Sequence, residues 1–99
     1  MKVEIHLEGV KTILKPSTSL TIENGEVLRS VVADLVDQGV REFVLDLQEV
    51  SFVDHAGLGE IIRVYTIVSR LGGTVKIRNA SERVKEFYRV LFHATFPGD

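Results

Sequence analysis

The stretch FVLDLQEVSFVDHAGLGEIIRVYTIVSRLGGTVKIR, Phe43 to Arg78, reads as a strand, a helix and a second strand. Phe43-Val44-Leu45-Asp46-Leu47 is short, nearly continuous apolar sequence rich in β-formers, the composition of a central strand covered on at least one face. After Asp54 the apolar residues Leu58, Ile61, Ile62, Tyr65, Val68 and Leu71 recur at helical spacing, and Gly72-Gly73 stops the pattern, so a helix is expected from about Ala56 to Leu71. Thr74 to Arg78 then reads as a strand. Strand, long helix, strand implies a right-handed parallel crossover, which makes the chain α/β.

Upstream, Val3, Ile5 and Leu7 alternate with Lys2, Glu4, His6 and Glu8, the pattern of a strand from Lys2 to Leu7 with one face buried and one wet. Gly9 makes a turn, and Lys11 to Leu14, before Pro16, is expected to pair antiparallel with that strand; Lys15 to Ser19 reads as a loop. Leu28, Val31, Val32, Leu35 and Val36 predict a helix to about Gln38, ended by Gly39. Its start is open to Thr21 or Asn24 as N-cap, or to a tight turn at Asn24-Gly25, with the cap preferred. Downstream, Ser81 opens a last helix expected to bury Val84, Phe87, Tyr88 and Leu91, and the tail from His93 to Asp99 is expected to fray. The sum is one domain over residues 1–99, a mixed β-sheet packed with α-helices.

Composition narrows the function classes. With 44% hydrophobic residues among 99, the chain can bury a core but has little room for a second domain. Twelve Lys plus Arg against 14 Asp plus Glu, with no basic cluster among aromatics, argues against nucleic acid as a partner. The absence of Cys excludes disulfides, thiolate zinc sites and cysteine nucleophiles. Met1 to His6 alternates charged and apolar residues where a signal peptide needs a continuous apolar stretch, and no run approaches the roughly 18 apolar residues of a bilayer span. A cytoplasmic location without direct membrane insertion is therefore expected.

The run from Phe43 to Gly59 resembles the signature of STAS domains (sulfate transporter and anti-sigma factor antagonist). That signature reads Val-Leu-Asp-Leu, a short spacer with an apolar pair, then Asp-Ser-Ser-Gly-Leu-Gly. The likeness continues through Gly72-Gly73, the following strand and the Asn79-Ala80-Ser81 to Leu91 segment, so it covers nearly the whole chain. The resemblance implies a STAS-like fold and a bacterial regulatory module of transcription signalling. Its partner would be an anti-sigma factor or serine kinase-like protein, or alternatively a subunit of an ABC-type or anion transport assembly.

The resemblance also implies where docking occurs: Asp54, His55, Ala56, Gly57, Leu58 and Gly59, at the start of the helix. The bacterial anti-sigma factor antagonists of the family are switched by phosphorylation of the second Ser of Asp-Ser-Ser-Gly, and aligning Asp54 and Gly57 puts Ala56 there. Ala56 has no hydroxyl and His55 fills the other Ser position, so a non-phosphorylatable site is expected. Ser51 is the nearest remaining hydroxyl and reads as a turn residue.

Physically, Asp54 is placed to cap the helix and to complement its dipole. Gly57 and Gly59 leave the first turn bare, either for packing on the preceding strand or for a partner's approach, readings of equal weight. On the docking reading, Gly57→Arg should block binding and leave the domain folded. His55 is expected to project into solvent. His6, His55 and His93 are too scattered for a metal site, and Asp46 and Asp54 read as a strand residue and a cap rather than an acid–base pair. No catalytic constellation and no cofactor motif is present; Gly57-x-Gly59 lacks the context of a phosphate loop.

Overall fold

A computed structural model of the chain describes residues 1–96. Its elements run β1 (Val3–Glu8), β2 (Lys11–Pro16), α1 (Gly25–Asp37), β3 (Glu42–Asp46), α2 (His55–Arg70), β4 (Thr74–Arg78) and α3 (Glu82–Phe92). The sheet order is β1-β2-β3-β4. The short β1–β2 connection forces an antiparallel pair, whereas α1 and α2 each carry the chain back far enough for β2–β3 and β3–β4 to pair parallel. A mixed four-stranded sheet with three helices is the expected α/β architecture.

Alternation in the strands sorts the two faces. Leu14, Phe43, Leu45, Val75 and Ile77 point to one side and form the core with Leu28 and Val32 of α1, Leu58, Ile61, Val64 and Val68 of α2, and Val84 of α3. Each such side chain contributes about 1.5–3 kcal/mol on burial, so this layer dominates stability. On the other side Ile13 and Val44 meet in register, with His6 and Lys76 as their outer neighbours.

Four expectations are corrected. The apolar side of β1 is buried only at its start: Val3 is half-buried against the core, but Ile5 is 49% and Leu7 81% exposed. The reason is position, because β1 is the sheet's edge while α1 and α2 pack on each other and α2 on β4. β2 continues through Pro16, which pairs with Val3, so the loop starts later than Lys15. Asn24 stands at the N-cap position of α1, but its side chain makes no cap bond; instead Oδ1 accepts from the Thr21 N–H at 2.9 Å and Nδ2 donates to the Ser19 carbonyl at 2.8 Å. Leu91 is exposed, and Phe96 takes up the burial at that end, edge-on to Tyr88 with ring centroids 5.2 Å apart. The tail is thus anchored at Phe96, and residues 97–99 lie outside the described residues.

Candidate functional site

Asp54 organises the start of α2. Its φ and ψ of −94° and −176° are extended, as an N-cap requires, and Oδ1 accepts from the Gly57 N–H at 2.7 Å. The other oxygen, Oδ2, accepts from the Ile22 N–H at 3.0 Å. The Asp54 N–H in turn donates to the Leu20 carbonyl at 3.1 Å, the Leu20 N–H donates to Phe52, and Leu20 bridges Val53 in parallel. One carboxylate therefore joins the helix start to the loop that leads into α1. The N–H groups of Gly57 and then Ile22 hold its carboxyl below the ordinary aspartate range, burial opposing them only in part.

The two glycines separate cleanly. A Cβ on Gly57 would lie 2.1 Å from the Leu20 carbonyl oxygen and 2.6 Å from its carbon, and main chain cannot move aside as a flexible side chain can. Packing is the role of Gly57, and the expectation that Gly57→Arg leaves the domain folded is corrected. Gly59 has open space in front of it and is exposed.

Consecutive in sequence, the six expected docking residues differ in exposure. Leu58 is 1% exposed and Gly57 is buried, so neither offers a side chain to a partner. Ala56 is half-buried, while His55 and Gly59 face outward. His55 does not simply project into solvent: its ring stands edge-on to Phe87 of α3, centroids 5.2 Å apart and planes at 87°.

Around His55 and Gly59 lie apolar residues that the sequence reading did not assign to the site. Ile22 is 76% exposed; Phe52 and Ile62 are exposed as well. The guanidinium of Arg83 sits 4.8 Å above the Phe52 ring, and Phe52, Val53, Arg83, Glu86, Phe87 and Val90 line a cleft of about 360 Å³. On the flank, Glu60 reaches Arg29 of α1 at 3.5 Å and Arg63 at 3.9 Å, fixing α1 against α2 beside the exposed glycine. Ile22 enters the site because Asp54 holds its N–H and the nearby Leu20 is tied to Phe52 and Asp54, links between residues about 32 apart that helical periodicity cannot reveal.

The remaining candidates have local partners. Asp46, 5% exposed, accepts from the Gln48 N–H at 3.0 Å, Asn79 Nδ2 at 3.2 Å and Arg78 Nε at 3.3 Å. Burial alone would raise its pKa, but these donors outweigh it and hold the carboxyl low, so Asp46 serves as an anionic tie between β3 and β4. Ser51 is exposed, its Oγ 3.3 Å from that of Ser19. His6 lies beside Glu4, and His93 closes α3 with φ of 52°. Among the described residues no group of three or more His, Cys, Asp or Glu could hold a metal ion, and no helix is long and apolar enough to cross a membrane.

The sequence profile of the family described as STAS domain matches residues 2–97. The anti-sigma-B factor antagonist of Bacillus subtilis is 30% identical over 71 residues, which cover 72% of this chain and 64% of that relative. The chain thus spans a little under two thirds of that curated relative. A crystal structure of a candidate anti-sigma factor antagonist from Thermotoga maritima superposes with a TM-score of 0.82 at 26% identity, covering 92% of this chain and 78% of the other. A murine Solute Carrier 26 family anion transporter contains the same fold, with a TM-score of 0.71 at 23% identity over 90% of this chain and 14% of the transporter.

Proposed function

The chain belongs to the STAS domain family, and from that premise we propose that it is an anti-sigma factor antagonist-like binding module of the bacterial cytoplasm, without catalytic activity of its own. Its partner is an anti-sigma factor or serine kinase-like protein, docked on the first turn of α2. The observation that carries this reading is the contrast at that turn. Asp54 and Gly57 lock the backbone against Leu20, while Gly59, His55 and the exposed Ile22, Phe52 and Ile62 offer an apolar surface around it. A surface held rigid before binding loses little entropy on docking.

The same site carries no serine switch. A phosphate at position 56 would add about two negative charges to the contact. Ala56 cannot accept one, so the module is constitutively competent to bind. A transport-assembly role is the second reading, favoured by the anion transporter that contains this fold. Affinity capture from native lysate with the tagged chain separates them. Recovery of a sigma-regulating kinase supports the first reading, and recovery of a transporter ATPase or membrane subunit in its place overturns it.

A further inference from the structure

β1 is a six-residue strand at the open edge of the sheet, with Ile5 and Leu7 exposed on the side that the inner strands turn to the core. Such an edge presents backbone donors and acceptors that no strand of the described residues satisfies. Proteins usually blunt an edge like this with charges that repel a second copy. Here the charges do the opposite.

We propose that β1 is a self-association edge: two copies join antiparallel across their β1 strands, with Ile5 facing Ile5 at the two-fold axis. In that register Glu4 faces His6 of the second copy, Val3 faces its Leu7, and Lys2 faces its Glu8. Every cross-strand pair is then apolar with apolar or acidic with basic or imidazole, the pairings that stabilise facing strands. Sliding one copy by a single residue, which moves the axis by half a residue, sets apolar side chains against polar ones, because the side-chain period is two. Moving the axis a full residue to Glu4 sets Glu4 against Glu4 and Lys2 against His6, and moving it to His6 sets Glu4 against Glu8. Axes at Val3 or Leu7 keep compatible pairs but join fewer residues of β1, so the register centred on Ile5 is the one favoured.

The intramolecular pairing extends the pattern. Within each copy Glu4 already faces Lys15 and Glu8 faces Lys11 on β2, so both carboxylates would lie between basic neighbours once the second strand is added. The opposite edge has no such property. β4 contains Lys76 and Arg78 and no acidic residue, so no register of β4 with itself yields an attractive charge pair.

Because the chain has no Cys, single-cysteine variants give a clean test. Directly opposed residues in an antiparallel pair have Cβ atoms about 4.5–5.5 Å apart, whereas Leu7 and its copy, offset by four residues, would be roughly 13 Å apart. Light scattering on the wild-type chain at sub-millimolar concentration should give twice the chain mass, and Ile5→Lys, which opposes two cations at the axis, should give the single mass with an unchanged circular dichroism spectrum. Under mild oxidation Ile5→Cys should form covalent dimer at least about tenfold faster than Leu7→Cys, and the double variant Val3→Cys with Leu7→Cys should also link. A monomeric wild type overturns the proposal, and so does a dimer that survives Ile5→Lys or links equally fast through Leu7→Cys.

Discussion

Gly57 is pressed against the main chain of Leu20, where a Cβ would stand 2.1 Å from the carbonyl oxygen. The contact puts the start of α2 and the loop ahead of α1 in one rigid unit. Gly57→Ala should therefore destabilise the domain by about 3 kcal/mol or more, at or above the upper end of overpacking costs, because carbonyl main chain cannot repack. Chemical denaturation reads this directly. A loss under about 1 kcal/mol would show that Leu20 can yield.

Asp54 links stability to pH. Its folded pKa is lowered by the Gly57 and Ile22 N–H groups, so its contribution is fully present above the unfolded value of about 3.9 and is lost as pH falls through the lower folded value. Urea midpoints of the wild type should decline through that acid window, and Asp54→Asn should decline less. Asp46 acts with the same sign, so the difference between the two curves, rather than either curve, isolates Asp54. At neutral pH Asp54→Ala should cost about 1–2 kcal/mol, the usual loss of a helix cap.

Asp46→Ala tests the second carboxylate. It removes the acceptor shared by Gln48, Asn79 and Arg78, but Arg78 is 41% exposed and can turn to water. The cost should be about 1–3 kcal/mol, as for lost buried hydrogen bonds, and short of the figure of about 3–5 kcal/mol for an ion stranded in the core. Denaturation at neutral pH decides between the two ranges.

Much of this was legible in the sequence, and the illegible parts share a cause. The apolar run of β3, the helical spacing of α2 and the Asp54 cap are local patterns, so the α/β order follows from residues near one another. Gly57 and Gly59 look alike in sequence because what separates them is Leu20, which a distant loop brings to one and not the other. Ile22 joins the site through the same loop. The alternation of β1 marks a strand correctly but cannot say that the helices stop short of it, leaving Ile5 and Leu7 bare. Periodicity identifies which face is apolar; sheet order decides whether anything covers it.

On the proposed function Ala56 stands where a phospho-acceptor Ser would be, and that gives a chemical prediction. Incubated with the captured serine kinase and ATP, the wild-type chain should gain no phosphate, whereas Ala56→Ser should gain one. Phosphorylated Ala56→Ser should then release its partner, since about two charges enter the contact. Intact mass and site mapping read the outcome; stoichiometric phosphate on wild-type Ser51 would mean that the switch has moved along the loop.

Gly59→Arg examines the proposed docking surface most directly, because position 59 is exposed and nothing stands in front of its Cβ. The measurement is a calorimetric titration of the captured partner with wild type and Gly59→Arg, alongside thermal melts of both. An unchanged melt and an affinity at least about 100-fold weaker are expected, the size of a central interface disruption. Equal affinities with equal melts would contradict docking at the first turn of α2 and place the partner elsewhere on the domain.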